Sequence, residues 1–269
     1  MKTVLTIAGS DSSGGAGIQA DLKTYMALGV YGMSAVTAIT AQNTLGVTRI
    51  EPVSPSMIRA QLRAVFEDIP PDAVKIGMLG NEEAVLVIAQ MLGEYRPAHV
   101  VYDPVMASTS GTSLMEESAF ARVKDTLLPL IHVITPNHAE AQRLSGLPIR
   151  NKRDMARAAA AIGEKYSGAI LVKGGHLAGS CDDLLYSQGQ IIWYPGEVQA
   201  NPNTHGTGCT LSSAIAAGLA KGLSLQEAVR RAKIYITGAI AAGLNIGQGR
   251  GPLDHGYRWT SDESVANRL

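Results

Sequence analysis

The sequence is poor in the residues that mark several large classes of protein. Aromatic side chains make up only 5% of its 269 residues, which argues against a base-stacking platform for single-stranded nucleic acid. The 23 basic and 23 acidic side chains balance, and no basic stripe is visible. Nothing in the charge therefore favours nucleic acid or an acidic membrane surface as a partner.

Cysteine and long apolar runs are also scarce. Two cysteines, Cys181 and Cys209, do not make a disulfide framework in a chain of this size. No window reaches the ~20 apolar residues that a membrane helix needs, and the first residues lack the pattern of a signal peptide. We therefore expect a soluble, cytoplasmic protein with no membrane and no nucleic-acid partner.

Hydrophobic residues, at 46% of the chain, are numerous enough for a substantial core. At ~150 residues per domain, the length lies between one large domain and two small ones. No internal repeat, low-complexity tract or linker interrupts the chain, so we expect one domain over residues 1–269.

Short apolar, β-branched runs alternate with longer helical patterns along the chain. This alternation predicts an α/β fold in which a mostly parallel sheet is covered by helices on both faces. The predicted strands are residues 4–8, 34–40, 73–78, 99–103, 133–135 and 169–173. The predicted helices are residues 16–29, 55–67, 82–94, 116–128, 138–145, 153–165 and 225–242, with one more within 203–222. A more polar pair, 182–187 and 190–194, is predicted to form an additional β-hairpin.

The stretch 203–222 combines a glycine-bearing turn with an apolar helix. Gly206-Thr207-Gly208 runs directly into an alanine-rich segment. The N–H groups of such a turn lack internal acceptors, and the helix dipole adds partial positive charge, so the turn is suited to an oxyanion. Cys209 lies just inside the helix, where the same field stabilises a thiolate, and we expect it to act as a base or nucleophile near neutral pH. The alternative is a tight helix-start turn with a buried cysteine.

Polar residues follow the predicted strands at their carboxyl ends, where ligands bind in such sheets. They lie at 9–17, 40–43, 77–78, 103–105, 136–137 and 173–176. The glycine-rich loop 9–17 fits only the loose form of a dinucleotide fingerprint, because no carboxylate follows in 35–40. It also lacks the lysine and the spacing of a Walker loop. It is either a surface for close approach of a ligand to the backbone or a plain tight turn.

Asp21 lies on or beside the inward face of the helix predicted over 16–29. It is three residues from Ile18 and four from Tyr25, both of which belong to the apolar stripe. Because burying an unpaired carboxylate is costly, we expect Asp21 to hold a nitrogen or hydroxyl of a ligand. The alternative is a carboxylate at the edge of the stripe that reaches solvent.

Two carboxylates are candidates for a magnesium site. Glu140 follows Asn137 by three residues at a strand-to-helix junction, and Asp103 ends a predicted strand before a proline. Mg²⁺ suits one or two carboxylates together with substrate phosphates. Asn137 and Glu140 also fit a capping box, which is the alternative interpretation.

Lys173 ends an apolar strand, so its ammonium is expected either to neutralise a nucleotide phosphate in the same crevice or to reach solvent. Lys233, close to Arg230 and Arg231, is more typical of a solvated helix face. Three histidines show no metal-ligand spacing with one another or with the cysteines, so no zinc site is expected. They are His138, His176 and His205.

Several motifs occur together and in one order along the chain. They are A-G-S-D-S-S-G-G-A-G-I-Q-A-D-L-K-T, T-A-Q-N-T, K-I-G-M-L, D-P-V-M, T-P-N-x-x-E, V-K-G-G-H and N-T-H-G-T-G-C-T. This set resembles the hydroxymethylpyrimidine/phosphomethylpyrimidine kinases of thiamine biosynthesis, which belong to the ribokinase superfamily. The first and last motifs are the most specific, and the resemblance runs from about residue 3 to 255. It implies a ribokinase-like three-layer α/β/α sandwich.

The resemblance also implies a pyrimidine pocket at the matching positions. Asp21 and Gln42 would read the ring nitrogens and the exocyclic amine, whereas Met78 and Val105 would pack on the ring. Gly9 would complete the lining of this pocket.

The remaining implied roles concern phosphoryl transfer. Gly206, Thr207 and Gly208 would form an anion hole, and Cys209 would occupy the position of the catalytic base. Glu140 and Asp103 would organise Mg²⁺. The residues expected to face ATP are Lys173, Thr207, Asn137 and the region around Lys233.

Two departures from the family pattern bear on the substrate. The segment 107–111 resembles a flap over the active site, with Thr109 where many members have lysine. It also lacks the second cysteine expected of cysteine-type pyridoxal kinases.

We therefore expect an ATP-dependent kinase that phosphorylates 4-amino-5-hydroxymethyl-2-methylpyrimidine and then its monophosphate, and that forms a homodimer. The alternatives are a pyridoxal kinase and a non-catalytic regulator that binds a pyrimidine or a nucleotide.

Overall fold

The fold was analysed in a computed structural model, which describes residues 1–107, 111–175, 181–242 and 244–260. In this part of the chain nine strands form one sheet. They are β1 (Thr3–Asp11), β2 (Tyr31–Asn43), β3 (Gly46–Pro52), β4 (Ala73–Ile76), β5 (Val100–Tyr102), β6 (Val133–Ile134), β7 (Ala169–Val172), β8 (Asp183–Ser187) and β9 (Gln190–Tyr194). Their order across the sheet is β3-β2-β1-β4-β5-β6-β7-β8-β9.

The helices are α1 (Gly17–Ala27), α2 (Pro55–Asp68), α3 (Glu82–Tyr95), α4 (Glu117–Arg122), α5 (His138–Ser145), α6 (Lys152–Gly163), α7 (Thr207–Ala220), α8 (Leu225–Ala241) and α9 (Tyr257–Thr260). The central strands β2, β1, β4, β5, β6 and β7 are parallel to one another, whereas the pairs β2–β3, β7–β8 and β8–β9 are antiparallel. The predictions of an α/β fold with a mostly parallel sheet and a hairpin at 182–194 are confirmed.

Two hydrophobic cores, one on each face of the sheet, give the molecule three layers. Helices α2 to α6 supply one core, and α1, α7 and α8 supply the other. The strands contribute alternately: Leu5 and Ile7 of β1 face the first core, and Val4 faces the second. Because parallel strands are covered on both faces, their sequences are almost entirely apolar, which is why they could be predicted.

Strand β3 was missed by the sequence analysis. It pairs with the second half of β2, from Ala38↔Pro52 to Asn43↔Gly46, and most of its residues are exposed or half-buried. An edge strand that lies outside the two cores does not need an apolar pattern, so residues 46–52 carry no strand signal.

The predicted helix over 116–128 is also shorter than expected. Helix α4 ends at Arg122 and is followed by a π-helical turn, Val123–Leu127, and a 3₁₀ turn, Leu128–Leu130. Pro129 has no backbone N–H with which to continue the α-helical hydrogen bonds, so the segment changes its winding before β6.

In the described residues no helix is both long enough and apolar enough to cross a bilayer.

Candidate active site

A cavity of about 990 Å³ lies at the carboxyl ends of the parallel strands. Every candidate residue from the sequence analysis except Asp21 contributes to its lining. These residues are Gly9, Gln42, Met78, Asp103, Val105, Asn137, Glu140, Lys173, Gly206, Thr207, Gly208, Cys209 and Lys233. Residues that are up to 224 positions apart in sequence therefore meet in one place.

The turn before α7 is built by a glycine in the left-handed region. Gly206 has φ of 85°, and a Cβ at this position would collide with the carbonyl oxygen of Gly15. The first i→i−4 hydrogen bond of α7 runs from the N–H of Thr210 to the carbonyl oxygen of Gly206, over 2.9 Å. The N–H groups of Gly208 and Cys209 lie in the first turn, where no intrahelical acceptor exists, and the helix dipole favours an anion there. The geometry is that of an oxyanion site.

An ion pair lies directly against this turn. Lys173 donates to Oδ1 of Asp103 over 2.7 Å, and Thr135 donates to the same oxygen over 3.2 Å. A Cβ on Gly208 would lie 3.1 Å from Oδ2 of Asp103 and 3.3 Å from Nζ of Lys173. Glycine at 208 therefore lets the first turn of α7 approach the pair closely. The Lys173 ammonium is held inside the cavity wall rather than extending to solvent.

The environment of Cys209 differs from the expectation. Burial, together with the carboxylates of Asp21 and Asp103, raises the pKa of its thiol to about 11, while the ammonium of Lys75 and the N–H of Gly17 act in the opposite direction. The prediction that the helix terminus favours the thiolate near neutral pH is therefore wrong for this environment. Desolvation is the largest influence on the pKa of this thiol, although the half-buried side chain still lines the cavity.

Asn137 and Glu140 form a complete capping box at the start of α5. The Asn137 side chain accepts from the Glu140 N–H over 3.0 Å, and the Glu140 carboxylate accepts from the Asn137 N–H over 2.7 Å. The same carboxylate lines the cavity, so the capping and the ligand-binding interpretations are compatible. Burial raises the pKa of Glu140 to about 7, with Lys173 acting in the opposite direction and Asp103 adding to the increase.

The carboxylates of Glu140 and Asp103 thus repel each other, and among the described residues only Asp103 has an ion-pair partner. A divalent cation beside Glu140 and Asp103 would relieve this repulsion, and two carboxylates are a donor set that suits Mg²⁺ in the presence of phosphates. Within the described ranges, no group of three or more His, Cys, Asp or Glu side chains is placed to hold a metal ion.

The solvated face expected for Lys233 is wrong. Its ammonium donates to the Cys181 carbonyl and to Oδ2 of Asp183, both over 2.7 Å, and only 13% of the side chain is exposed. Lys233 lies on the side of α8 that faces the loop before β8, whereas Arg230 and Arg231 bind Glu227 at the surface. Lys233 therefore belongs to the cavity wall.

Asp21 requires a correction, because it does not line the cavity. It is fully buried between α1 and the sheet and is paired with Lys75 of β4, whose Nζ lies 2.9 and 2.8 Å from its two oxygens. Thr6 of β1 and Ser213 of α7 also donate to this carboxylate, over 2.6 and 2.7 Å. All its acceptor positions are directed at protein groups, so Asp21 holds four elements together and does not read a ligand.

Two further residues of the cavity lining, Asp11 and His205, were missed, and they link the glycine-rich loop to the oxyanion turn. His205 places Nε2 at 2.8 Å from Oδ2 of the buried Asp11. Oδ1 of Asp11 accepts from the N–H and the hydroxyl of Ser13, and Oδ2 accepts from the N–H of Ala16. An aspartate before two serines at a strand end is a turn signal that could have marked Asp11. No sequence signal joins it to His205.

The apolar wall of the cavity is formed by Gly9, Met78 and Val105. A Cβ on Gly9 would lie 3.0 Å from the Met78 sulfur, so glycine leaves room for that side chain beside β1. Other positions from the sequence analysis cannot be placed: Thr109 in the flap segment and His176 lie outside the described residues.

Comparison with known proteins identifies relatives over nearly the whole chain. Residues 11–254 match the family described as phosphomethylpyrimidine kinase. A hydroxymethylpyrimidine/phosphomethylpyrimidine kinase of Rhizobium meliloti (strain 1021) is 53% identical over 262 residues, which cover 96% of this chain and 98% of that protein.

Solved structures share the fold. The crystal structure of phosphomethylpyrimidine kinase from Clostridium difficile 630 has a TM-score of 0.81 and 49% identity, covering 89% of this chain and 100% of that one. The ADP complex of Bacillus subtilis pyridoxal kinase has a TM-score of 0.89 and 39% identity, covering 96% and 98%. The backbone alone therefore does not separate the two activities.

The pairing of Asp21 with Lys75 predicts a strong effect on stability. Lys75→Met leaves a buried carboxylate without its counter-ion and should lower the free energy of unfolding by about 3–5 kcal/mol, measured by urea denaturation. The double variant Asp21→Asn/Lys75→Met should recover much of this loss. The same exchange at the partly exposed pair Lys2–Asp72 is the control and should cost about 1 kcal/mol or less. A Lys75→Met protein as stable as the control would contradict the assignment.

The raised pKa of Glu140 predicts a pH dependence of stability. Between the ordinary value of 4.5 and about 7 the native state binds more protons than the unfolded chain, so stability falls as the pH rises through this window. Without nucleotide or metal, the free energy of unfolding of the wild type should fall by on the order of 3 kcal/mol between pH 4.5 and 7 because of Glu140, and this contribution should be absent in Glu140→Gln. The exchange of exposed Glu94 for Gln is the control. Equal slopes in wild type and Glu140→Gln would show that the carboxyl is not perturbed.

Proposed function

This chain belongs to the phosphomethylpyrimidine kinase family, and on that premise we propose that it transfers a phosphoryl group from ATP to 4-amino-5-hydroxymethyl-2-methylpyrimidine and then to the resulting monophosphate. One observation carries the proposal: the oxyanion turn 206–208 and Cys209 open into the same cavity as the apolar wall and Gln42. A site for the transferred group and a site for an aromatic alcohol are therefore adjacent.

The pyrimidine binds against Gly9, Met78 and Val105, with Gln42 at its polar edge. The apolar side chains pack on the ring, and the amide offers both a donor and an acceptor to the ring nitrogens and the amine. Asp21 has no part in this recognition, since its carboxylate is saturated by Lys75, Thr6 and Ser213.

The transferred phosphoryl group lies at the turn that opens α7. In phosphoryl transfer the protein mainly positions the reactants and neutralises charge spread over the equatorial oxygens. The N–H groups of Gly208 and Cys209 and the Lys173 ammonium supply positive charge at this point. Each well-placed donor contributes on the order of 3 kcal/mol to the barrier reduction.

Cys209 accepts the proton of the substrate hydroxyl. At a pKa of about 11 the thiol is mostly protonated near neutral pH, so the small thiolate fraction takes up the proton as the substrate oxygen bonds to the γ-phosphorus and the bond from that phosphorus to the ADP oxygen breaks. The ammonium of Lys75 is the largest of the charges that stabilise this thiolate, and the Gly17 N–H adds to it. Burial lowers the fraction of Cys209 present as thiolate, but the thiolate that does form is a stronger base.

The nucleotide lies along the part of the cavity that contains Lys173, Lys233, Asn137 and Thr207. Glu140 and Asp103 are the residues that would hold Mg²⁺, and the ion, when bound, neutralises charge on the phosphates. Asp103 also holds the Lys173 ammonium beside the oxyanion turn, with 2.7 Å between Nζ of Lys173 and Oδ1 of Asp103.

Two alternatives from the sequence analysis carry different weight. A non-catalytic regulator is disfavoured because the chain belongs to a kinase family and keeps Cys209, Glu140 and Asp103 in one cavity. A pyridoxal kinase is the second candidate, favoured by the close likeness to the Bacillus subtilis pyridoxal kinase.

Three further properties remain predictions: a single domain over 1–269, a homodimer and a cytoplasmic location. The exposed Ile39 and Leu45, on β2 and just before the edge strand β3, are apolar groups that a second copy would cover. A mass near 28.2 kDa in sedimentation equilibrium would contradict the dimer.

Removal of the proposed base provides a direct test. Cys209→Ala should lower kcat about 10²- to 10⁴-fold, as expected for the loss of a general base, while calorimetry shows nearly unchanged affinity for the pyrimidine. Cys181→Ser is the matched control and should keep kcat. Near-normal turnover in Cys209→Ala would remove Cys209 from the mechanism.

One coupled assay of ADP release distinguishes the candidate substrates. We expect kcat/KM for the pyrimidine alcohol to exceed that for pyridoxal by roughly 100-fold, because the pocket pairs Gln42 with groups that pyridoxal lacks. The monophosphate should also be turned over. A preference for pyridoxal would favour the second candidate, and binding without ADP release would favour a regulator.

A further inference from the structure

The second of the two proposed phosphorylations has a different acceptor from the first. An alcohol loses a proton as its oxygen bonds to the γ-phosphorus of ATP. A phosphate monoester instead carries about −1.5 to −2 charges at pH 7 and presents an oxygen that is already ionised. When this oxygen bonds to the γ-phosphorus and the bond from that phosphorus to the ADP oxygen breaks, no proton has to be removed. The second reaction therefore requires a cation that offsets the repulsion between the acceptor phosphate and ATP.

The lysines of the cavity already have buried counter-ions. Among the described residues, four lysine and arginine side chains line this cavity: Arg143, Lys173, Lys233 and Arg250. Lys173 is paired with Asp103 and Lys233 with Asp183, each over 2.7 Å, and these two carboxylates are 2% and 9% exposed. Because solvent hardly screens a buried carboxylate, each lysine charge is offset by its own partner. The arginines are therefore the candidates for a cation that is not already neutralised.

The two arginines differ in their partners. Arg143 forms an ion pair with Glu117, and its guanidinium lies over the Phe120 ring, with 4.3 Å between Cζ and the ring centroid. It lies on α5 three residues after Glu140, so it belongs to the end of the cavity proposed for the nucleotide and Mg²⁺. Arg250 is exposed, and within the ranges that the structure describes its guanidinium has no hydrogen-bond or ion-pair partner. Of the four described side chains, Arg250 is therefore the one whose charge is available to a ligand.

The backbone beside Arg250 is fixed next to the oxyanion turn. The N–H of Gly251 donates to Oδ1 of Asn203 over 3.0 Å, and the Gly251 carbonyl accepts from the N–H of His205 over 3.1 Å. His205 immediately precedes Gly206, the first residue of the turn. These hydrogen bonds hold the segment that contains Arg250 at the side of the cavity where phosphoryl transfer is proposed.

Arg250 also lies beside the proposed pyrimidine site. A smaller pocket of about 260 Å³ adjoins the large cavity, and both are lined by Gln42, His205 and Arg250. The N–H of Gly249 donates to Oγ1 of Thr44 over 3.1 Å, which ties this segment to the turn between β2 and β3. Gln42 is the residue proposed for the polar edge of the pyrimidine. Arg250 therefore lies at the end of the cavity proposed for the acceptor, whereas Arg143 lies at the nucleotide end.

We propose that Arg250 binds the phosphate group of the monophosphate acceptor and thereby promotes the second phosphorylation. This inference rests on the proposed function, since it concerns the second substrate of that site. A guanidinium donates two parallel N–H groups to the oxygens of a phosphate, which orients the phosphate as well as neutralising its charge. The alcohol has no group of this kind, so Arg250 contributes to the binding of the monophosphate and not to that of the alcohol.

The test is the ratio of kcat/KM for the monophosphate to kcat/KM for the alcohol, measured by ADP release at saturating ATP. Arg250→Gln should lower this ratio roughly 10-fold, chiefly through the KM of the monophosphate, as expected for the loss of a hydrogen bond to a charged group. Arg250→Lys, which keeps the charge without the planar fork, should lower the ratio less. Arg143→Gln is the matched control: it removes an arginine from the nucleotide end, which both reactions share, and should leave the ratio unchanged.

The outcomes separate the inference from the proposed function. If the wild type phosphorylates both pyrimidines and Arg250→Gln keeps the full ratio, the proposed function stands and the inference is overturned. An equal loss for both acceptors with a raised KM for ATP would assign Arg250 to the nucleotide instead, and an equal fall of the ratio in Arg143→Gln would show only a long-range charge effect; either result overturns the inference. If the wild type leaves a pyrimidine unphosphorylated, the proposed function fails for that substrate. Calorimetry with the monophosphate then decides, and equal affinity in wild type and Arg250→Gln overturns the inference.

Discussion

The structure depends on the buried ion pair of Asp21 and Lys75. The carboxylate is on α1, the ammonium on β4, and the two further donors, Thr6 and Ser213, are on β1 and α7. At the ends of these four elements lie the glycine-rich loop, between β1 and α1, Met78, after β4, and the oxyanion turn, before α7. An unpaired charge in this position would be costly, so the four elements can adopt only the arrangement in which all donors reach the carboxylate.

Much of the architecture could be predicted because parallel strands buried on both faces must be apolar, and because loops at their carboxyl ends collect polar residues. The partner of Asp21 could not be predicted, since Lys75 lies 54 residues away in an otherwise apolar strand. The pKa of Cys209 was misjudged for a related reason. The helix N-terminus can be predicted from the sequence, but the depth of burial, which is the largest influence on the pKa of this thiol, is a tertiary property. The exposed strand β3 left no pattern at all.

The charges of the cavity are arranged in pairs that reach across the sheet. Asp103 at the end of β5 binds Lys173 at the end of β7, and Lys233 on α8 binds Asp183 on β8. Glu140 instead accepts a hydrogen bond from the backbone N–H of Asn137, and the Lys173 ammonium acts on it through space, against the carboxylate of Asp103. A cation between Glu140 and Asp103 would therefore complete the pattern of paired charges.

Helix α7 is buried at every residue from Thr210 to Ala220, while its first turn faces the cavity. Solvent ions cannot approach its flanks, so they reach the field of its dipole only through the cavity at the first turn. The attraction between this turn and an anion in the cavity should thus depend less on ionic strength than it would at the N-terminus of a surface helix.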